Sequence, residues 1–203
     1  MILHDCAGAV NPRRIRMFLA EKGIDIECTQ VDVFKGEQYS DEFAKLNPSK
    51  AVPCLELDNG EVIAESVAIA RYFEASQPEP RLLGETPKEQ AVVAMWQRRV
   101  EDGLLGASTT YFHHATDGLG ETDRYRNQEW GEANKSRVVE TMRWLDRELG
   151  TRPFIASETF SFADITALCG VDFATFIGVP IPDDCLNLKS WHDRVSVRPS
   201  AKA

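Results

Sequence analysis

The sequence predicts an α/β N-terminal domain followed by an all-α C-terminal domain. Three observations carry that expectation. Up to Ser76, short apolar runs alternate with segments of helical periodicity. Residues 77–88, QPEPRLLGETPK, hold three prolines and a glycine, the composition of a linker between domains. Beyond them, apolar residues recur only at helical spacing. The two domains are therefore drawn at residues 1–78 and 87–203.

Ile2-Leu3-His4 reads as a first strand. The loop Cys6–Val10 leads to Asn11-Pro12, and Asn is a favoured N-cap and Pro a favoured first helical residue, so a helix is expected there. Ile15, Phe18, Leu19 and Lys22 give it a periodic face, and Gly23 ends it. Ile26 to Val33 is a second strand and Tyr39 to Leu46 a short helix. Asn47-Pro48 breaks that helix, and Val52-Pro53 introduces the strand Cys54–Leu57. Asp58-Asn59-Gly60 supplies the positive-φ residues of a tight turn, from which Val62-Ile63-Ala64 returns as the partner strand. Glu65-Ser66 then opens a helix with Ile69, Tyr72, Phe73 and Ser76 at i, i+3, i+4 and i+7. A carboxylate and a hydroxyl beside free backbone N–H groups suit the charged ends of an amino acid, and serve equally well as a plain cap.

In the second half, Val93, Trp96, Val100 and Leu104 form one stripe on a long helix from Glu89 to His114. Val138, Met142, Leu145 and Leu149 form a second, and Ile165, Leu168, Cys169, Phe173 and Phe176 a third. Such bulky stripes are expected to be core. Ser161-Phe162-Ala163-Asp164 has capping-box spacing, and Trp191 and Val195 mark a last helix.

The order β-α-β-α-β-β-α is that of the thioredoxin-like fold. Val52-Pro53, followed after twelve residues by Glu65-Ser66, resembles the glutathione-binding half of the glutathione transferases. The resemblance covers essentially the whole chain, since Ser161–Asp164 also fits that family's folding box in the helical domain. It implies a cis Pro53 that exposes the backbone of Val52 to the cysteinyl part of glutathione, with Glu65 and Ser66 holding the γ-glutamyl end. Lys35 and Lys50 either approach the glycine carboxylate or stand as solvated lysines. Trp96 and Tyr111, with Arg99, Phe112 and the pair His113-His114 nearby, lie on or just after the long helix that would wall the second-substrate pocket. No third ligand stands at workable spacing from the His pair, so no metal is expected. The implied reaction is attack of the glutathione thiolate on a small electrophile, or reduction of a peroxide or disulfide, with glutathione as co-substrate. The implied assembly is a homodimer, in which Glu101 or Asp102 reaches the neighbour's γ-glutamyl amine or is a plain surface acid.

That chemistry needs a thiol ionised at neutral pH, and the family usually places a Tyr, Ser or Cys just ahead of the first helix. The aligned residue is Ala9, which has no donor. Asn11 is the expected substitute, either donating to the sulfur or only capping the helix; a related bacterial group uses a Thr-Pro-Asn run, of which only the Asn is kept. Cys6 lies three residues upstream of the aligned position without a second Cys at redox spacing. Two rival readings follow: a glutathione-dependent disulfide oxidoreductase, and a non-catalytic glutathione- or ligand-binding protein. Arg13, Arg14 and Arg16 are expected to be exposed, or to favour an acidic electrophile.

Over 203 residues the formal charge is −9 and no Lys/Arg block stands out, which argues against nucleic acid or an anionic membrane as partner. The N-terminus lacks the pattern of a secretory signal, and no run approaches the roughly 20 apolar residues that span a bilayer. Five scattered cysteines suit a reducing cytoplasm.

Overall fold

The computed structural model describes residues 1–203. Contacts divide the chain into two compact units, Met1–Pro80 with Lys202–Ala203, and Arg81–Ala201.

The first unit follows the order β1 (Ile2–Asp5), α1 (Val10–Lys22), β2 (Glu27–Gln30), α2 (Asp41–Leu46), β3 (Cys54–Glu56), β4 (Val62–Ala64) and α3 (Ser66–Ser76). The sheet order is β2-β1-β3-β4, with β1 and β2 parallel and the other pairs antiparallel. This is the small mixed sheet of the thioredoxin-like fold. Gly60 closes the β3–β4 turn at φ 82°, a conformation that costs a residue without Cβ little. Helices α1 and α3 pack together, burying Ile15, Met17 and Phe18 on one and Ile69, Ala70 and Phe73 on the other. A second cluster joins Val31, Phe43 and Cys54, with Leu46 and Val52 against it.

Local expectations are corrected at several points. Helix α1 starts at Val10, with extended Ala9 at the cap, because the Cys6 carbonyl accepts the Ala9 N–H at 2.9 Å and turns the chain early. Asn11 and Pro12 therefore stand second and third in the helix; a proline is tolerated there because the first-turn N–H groups have no helical partner. The second strand is confined to Glu27–Gln30. The expected helix from Tyr39 divides into a 3₁₀ turn, Glu37–Tyr39, and α2, whose cap Ser40 accepts from the Phe43 N–H at 3.2 Å. On α3 the buried stripe uses Ala70; Tyr72 is half-buried and Ser76 exposed.

The second unit is helical. Helix α4 (Pro87–Val100) begins inside the expected linker, where Thr86 and Glu89 form a capping box. A π-helical turn, Glu101–Gly106, carries it into α5 (Ala107–Ala115). A Cβ on Gly103 would sit 2.7 Å from Thr141 Oγ1, so the wide turn lies where only a glycine fits against the helix that carries Thr141. Helices α6 (Gln128–Leu149), α7 (Phe162–Phe176) and α8 (Leu186–Ser196) complete the unit. Of the expected stripes, Val93, Trp96, Val100 and Leu104 are all buried, Leu149 is half-buried, and Phe176, the last residue of α7, is 80% exposed. No helix is long and apolar enough to cross a membrane.

Asp164 is the polar centre of this unit and is fully buried. Its carboxylate accepts from the N–H and hydroxyl of Ser161, both at 3.0 Å, from the Ile155 N–H at 2.8 Å and from Trp191 Nε1 at 3.0 Å. The capping box is thus also the anchor of α8. Burial pushes the Asp164 carboxyl up to about 6, against the opposing pull of those four donors.

Candidate functional site

Two helix starts meet in the first unit. Ser66, the first residue of α3, is 5% exposed, and its hydroxyl donates to the Asn11 carbonyl in the first turn of α1 at 3.3 Å. Each start carries unpaired N–H groups and the positive end of a helix dipole, so together they favour an anion. Glu65, exposed just ahead of α3, adopts φ 72° and makes no side-chain cap bond. A non-glycine residue with positive φ is uncommon, and strained backbone of this kind clusters at ligand sites.

The approach to Pro53 is built by Asn47, which is 4% exposed. Its Nδ2 donates to the Ala51 carbonyl at 2.8 Å, and its Oδ1 accepts from the N–H and hydroxyl of Ser49 at 3.2 and 2.9 Å. The Val52–Pro53 peptide is cis, and Lys50 in the same loop has φ 54°. In the sequence, Asn47 reads only as part of a helix-breaking Asn-Pro pair. The sequence signal for its larger role is an Asn-Pro pair ahead of a Ser, because an Asn side chain readily bonds backbone two residues on.

Asn11 is half-buried, and its Oδ1 accepts from Arg14 Nη1 at 3.1 Å. A guanidinium only donates, so the amide oxygen must face Arg14 and the NH₂ end is turned elsewhere. Arg14 is itself 2% exposed, which overturns its reading as a surface arginine. Arg16 is largely covered too, paired with Asp5 at 2.6 Å. Cys6 is 5% exposed. Burial and the charge of Glu56 push the Cys54 thiol up to about 11, so it stays protonated.

Lys35 is exposed and its Nζ lies 2.8 Å from Asp32, a pairing that raises the ammonium's pKa and lowers the carboxyl's. In the helical unit Trp96 is 4% exposed, packed against Trp144 at 5.1 Å between centroids and flanked by Arg99 and Arg152. Tyr111 is buried beneath Lys135, whose ammonium stands 5.1 Å from the ring centre. Phe112 meets Phe173 edge-on. His113 Nδ1 contacts Asp123 at 2.9 Å, and His114 Nδ1 accepts the Asn127 N–H at 3.1 Å. The His pair thus pins the segment leading into α6.

The family model described as the N-terminal domain of glutathione S-transferase matches residues 10–76, and that of the C-terminal domain matches residues 128–194. Glutathione S-transferase 2 of Saccharomyces cerevisiae is 40% identical over 205 residues, spanning 100% of this chain and 88% of that protein. The crystal structure of Gtt2 from the same organism matches with a TM-score of 0.97 at 40% identity, over 100% of this chain and 99% of that one. A glutathione S-transferase domain-containing protein of Marinobacter aquaeolei gives 0.96 at 42% identity, over 98% and 99% of the two chains. The disulfide-bond oxidoreductase YfcG of Escherichia coli is 27% identical over 199 residues, 94% of this chain and 87% of that protein.

Proposed function

This chain belongs to the glutathione S-transferase family and is a glutathione transferase, and from that premise we propose how it works. The glutathione thiolate attacks a small electrophile, held by a thioredoxin-like domain over residues 1–78 with a helical domain over residues 87–203. Glu65 and Ser66 take the γ-glutamyl end, the backbone of Val52 beside Pro53 takes the cysteinyl part, and Lys50 and Lys35 serve the glycine carboxylate. Lys35 must exchange its partner Asp32 for the ligand; both groups are at the surface, where an ion pair is worth little. Trp96 and Tyr111 shape the second-substrate pocket. Catalysis rests on orientation and on preorganised donors, with Asn11 as the side-chain donor and the start of α1 supplying backbone N–H groups.

The observation that supports this reading is the bond from Ser66 to the Asn11 carbonyl, which joins the two helix starts assigned here to the γ-glutamyl and thiol ends. Calorimetric titration with glutathione tests it. Ser66→Ala and Glu65→Ala should each weaken binding by about 1.5–3 kcal/mol, roughly 10- to 150-fold. Unchanged affinity in both variants overturns the assignment.

The similarity to a disulfide-bond oxidoreductase supports disulfide reduction as a second reading. The burial of Cys6 weighs against that cysteine as its nucleophile. We further propose a cytoplasmic homodimer in which Glu101 or Asp102 faces the partner's γ-glutamyl amine, with no role for metal, nucleic acid or membrane.

A further inference from the structure

We propose that Asp5, Arg16 and Gln30 are positioning residues that hold the Cys6–Ala9 loop in the alignment thiolate binding requires; this rests on the site reading above. The three come from different elements, β1, α1 and β2, and meet on one buried carboxylate. Asp5, 2% exposed, accepts from Arg16 Nη1 at 2.6 Å and from Gln30 Nε2 at 2.7 Å. The two side chains it orients then grip the loop. Gln30 Oε1 accepts the Ala7 N–H at 2.9 Å, while Arg16 donates to the Ala7 carbonyl at 3.1 Å and the Cys6 carbonyl at 3.4 Å. Both backbone groups of Ala7 are therefore held by side chains that Asp5 aims, and Cys6 in turn turns the chain into α1 through its bond from the Ala9 N–H.

The buried carboxylate is the stiff part of this arrangement: its charge-assisted bonds fix the largely covered Arg16. They also orient Gln30, which is exposed on β2 but bonded at both ends of its amide, to Asp5 and to Ala7. Stiffness matters more here than where a hydroxyl on a mobile side chain follows the sulfur. Ala9 has no side-chain donor, so the sulfur depends on groups whose positions the backbone dictates. Preorganised donors lose effect steeply with displacement.

The test compares wild type with Gln30→Met, which removes both bonds at similar volume, and Arg16→Lys, which keeps a charge for Asp5 but loses the planar fork. Thermal melts establish folding. The readouts are the ultraviolet absorbance of bound glutathione thiolate at pH 7, calorimetric glutathione affinity, and kcat and KM with a small aromatic electrophile. We expect both variants to lose thiolate signal and about tenfold in kcat, with KM and glutathione affinity nearly unchanged. Folded variants with unaltered thiolate signal and kcat overturn the proposal, even if they melt earlier. If Gln30→Met does not fold, Arg16→Lys decides alone. A wild type that binds glutathione without ionising it overturns this proposal and leaves the binding assignment standing. A wild type that does not bind glutathione overturns both.

Discussion

The ammonium of Lys22 lies 2.7 Å from the Glu74 carboxylate, with the lysine side chain fully buried and the glutamate side chain 11% exposed. Three carbonyls complete its shell, from Gln77, Pro78 and Pro80 at 2.8, 3.1 and 2.9 Å. Gln77 returns a bond to the Lys22 carbonyl at 2.8 Å. One side chain thus ties the end of α1 to the end of α3 and to the segment that leaves it. Removing one partner of a buried pair strands the other, so Lys22→Met should destabilise the protein by about 3–5 kcal/mol. Adding Glu74→Leu should recover part of that loss, because the effects of residues in contact do not add. Urea unfolding measures both; a single-variant loss below about 1 kcal/mol would refute the expectation.

Asp164 predicts a pH signature. Its carboxyl is raised by burial from an ordinary 3.8 to about 6 in the folded protein. Between those values the folded state holds more protons than the unfolded chain, so this group's contribution to stability falls as pH rises, by about 3 kcal/mol across the window. Asp164→Asn removes the titration and turns an NH₂ toward some of the four donors. It should cost on the order of 3 kcal/mol at pH 7, and wild type should lead by a wider margin at pH 4 than at pH 7. Parallel stability–pH curves would contradict the assignment.

For thiol activation, Asn11→Ala should lower conjugating activity by one to two powers of ten, as for a lost donor worth about 1.5–3 kcal/mol. Cys6→Ala should leave activity nearly intact. Asn11 is not the cap of α1, so its loss carries no capping penalty. Ala9→Ser should raise the thiolate fraction of bound glutathione. An inactive Cys6→Ala beside an unaffected Asn11→Ala would transfer the function to disulfide chemistry.

Assembly is checked by light scattering at micromolar concentration, where the expected mass is twice the 22.8 kDa of one chain. Asp102 is held by Arg98 at 3.0 Å, so a partner's ligand would have to draw it from that pair. If Glu101 or Asp102 faces the partner's ligand, Glu101→Gln with Asp102→Asn should weaken glutathione binding several-fold, by about 1 kcal/mol. A mass of one chain contradicts the dimer.

The sequence by itself determined the element order, the stop at Gly23, the β3–β4 turn at Gly60 and the capping box at Ser161–Asp164. Each of these is written within about four residues, where backbone geometry and the nearest side chain decide the outcome. Tertiary structure decided the rest. Lys22 was legible as a lysine on an apolar face, but not the oxygens gathered around it from residues 74–80. Arginines 14 and 16 look like surface charge; Arg14 meets Asn11 one turn away on its own helix, but its burial, and the partner of Arg16 on β1, come only with the fold. The start of α1 moved to Val10 because of a bond within the Cys6–Ala9 loop, a loop that Gln30 holds from 23 positions away, and the π turn lies where Gly103 meets Thr141, 38 positions away. A polar side chain's role follows from the partner that satisfies it when buried, and folding alone brings that partner into reach.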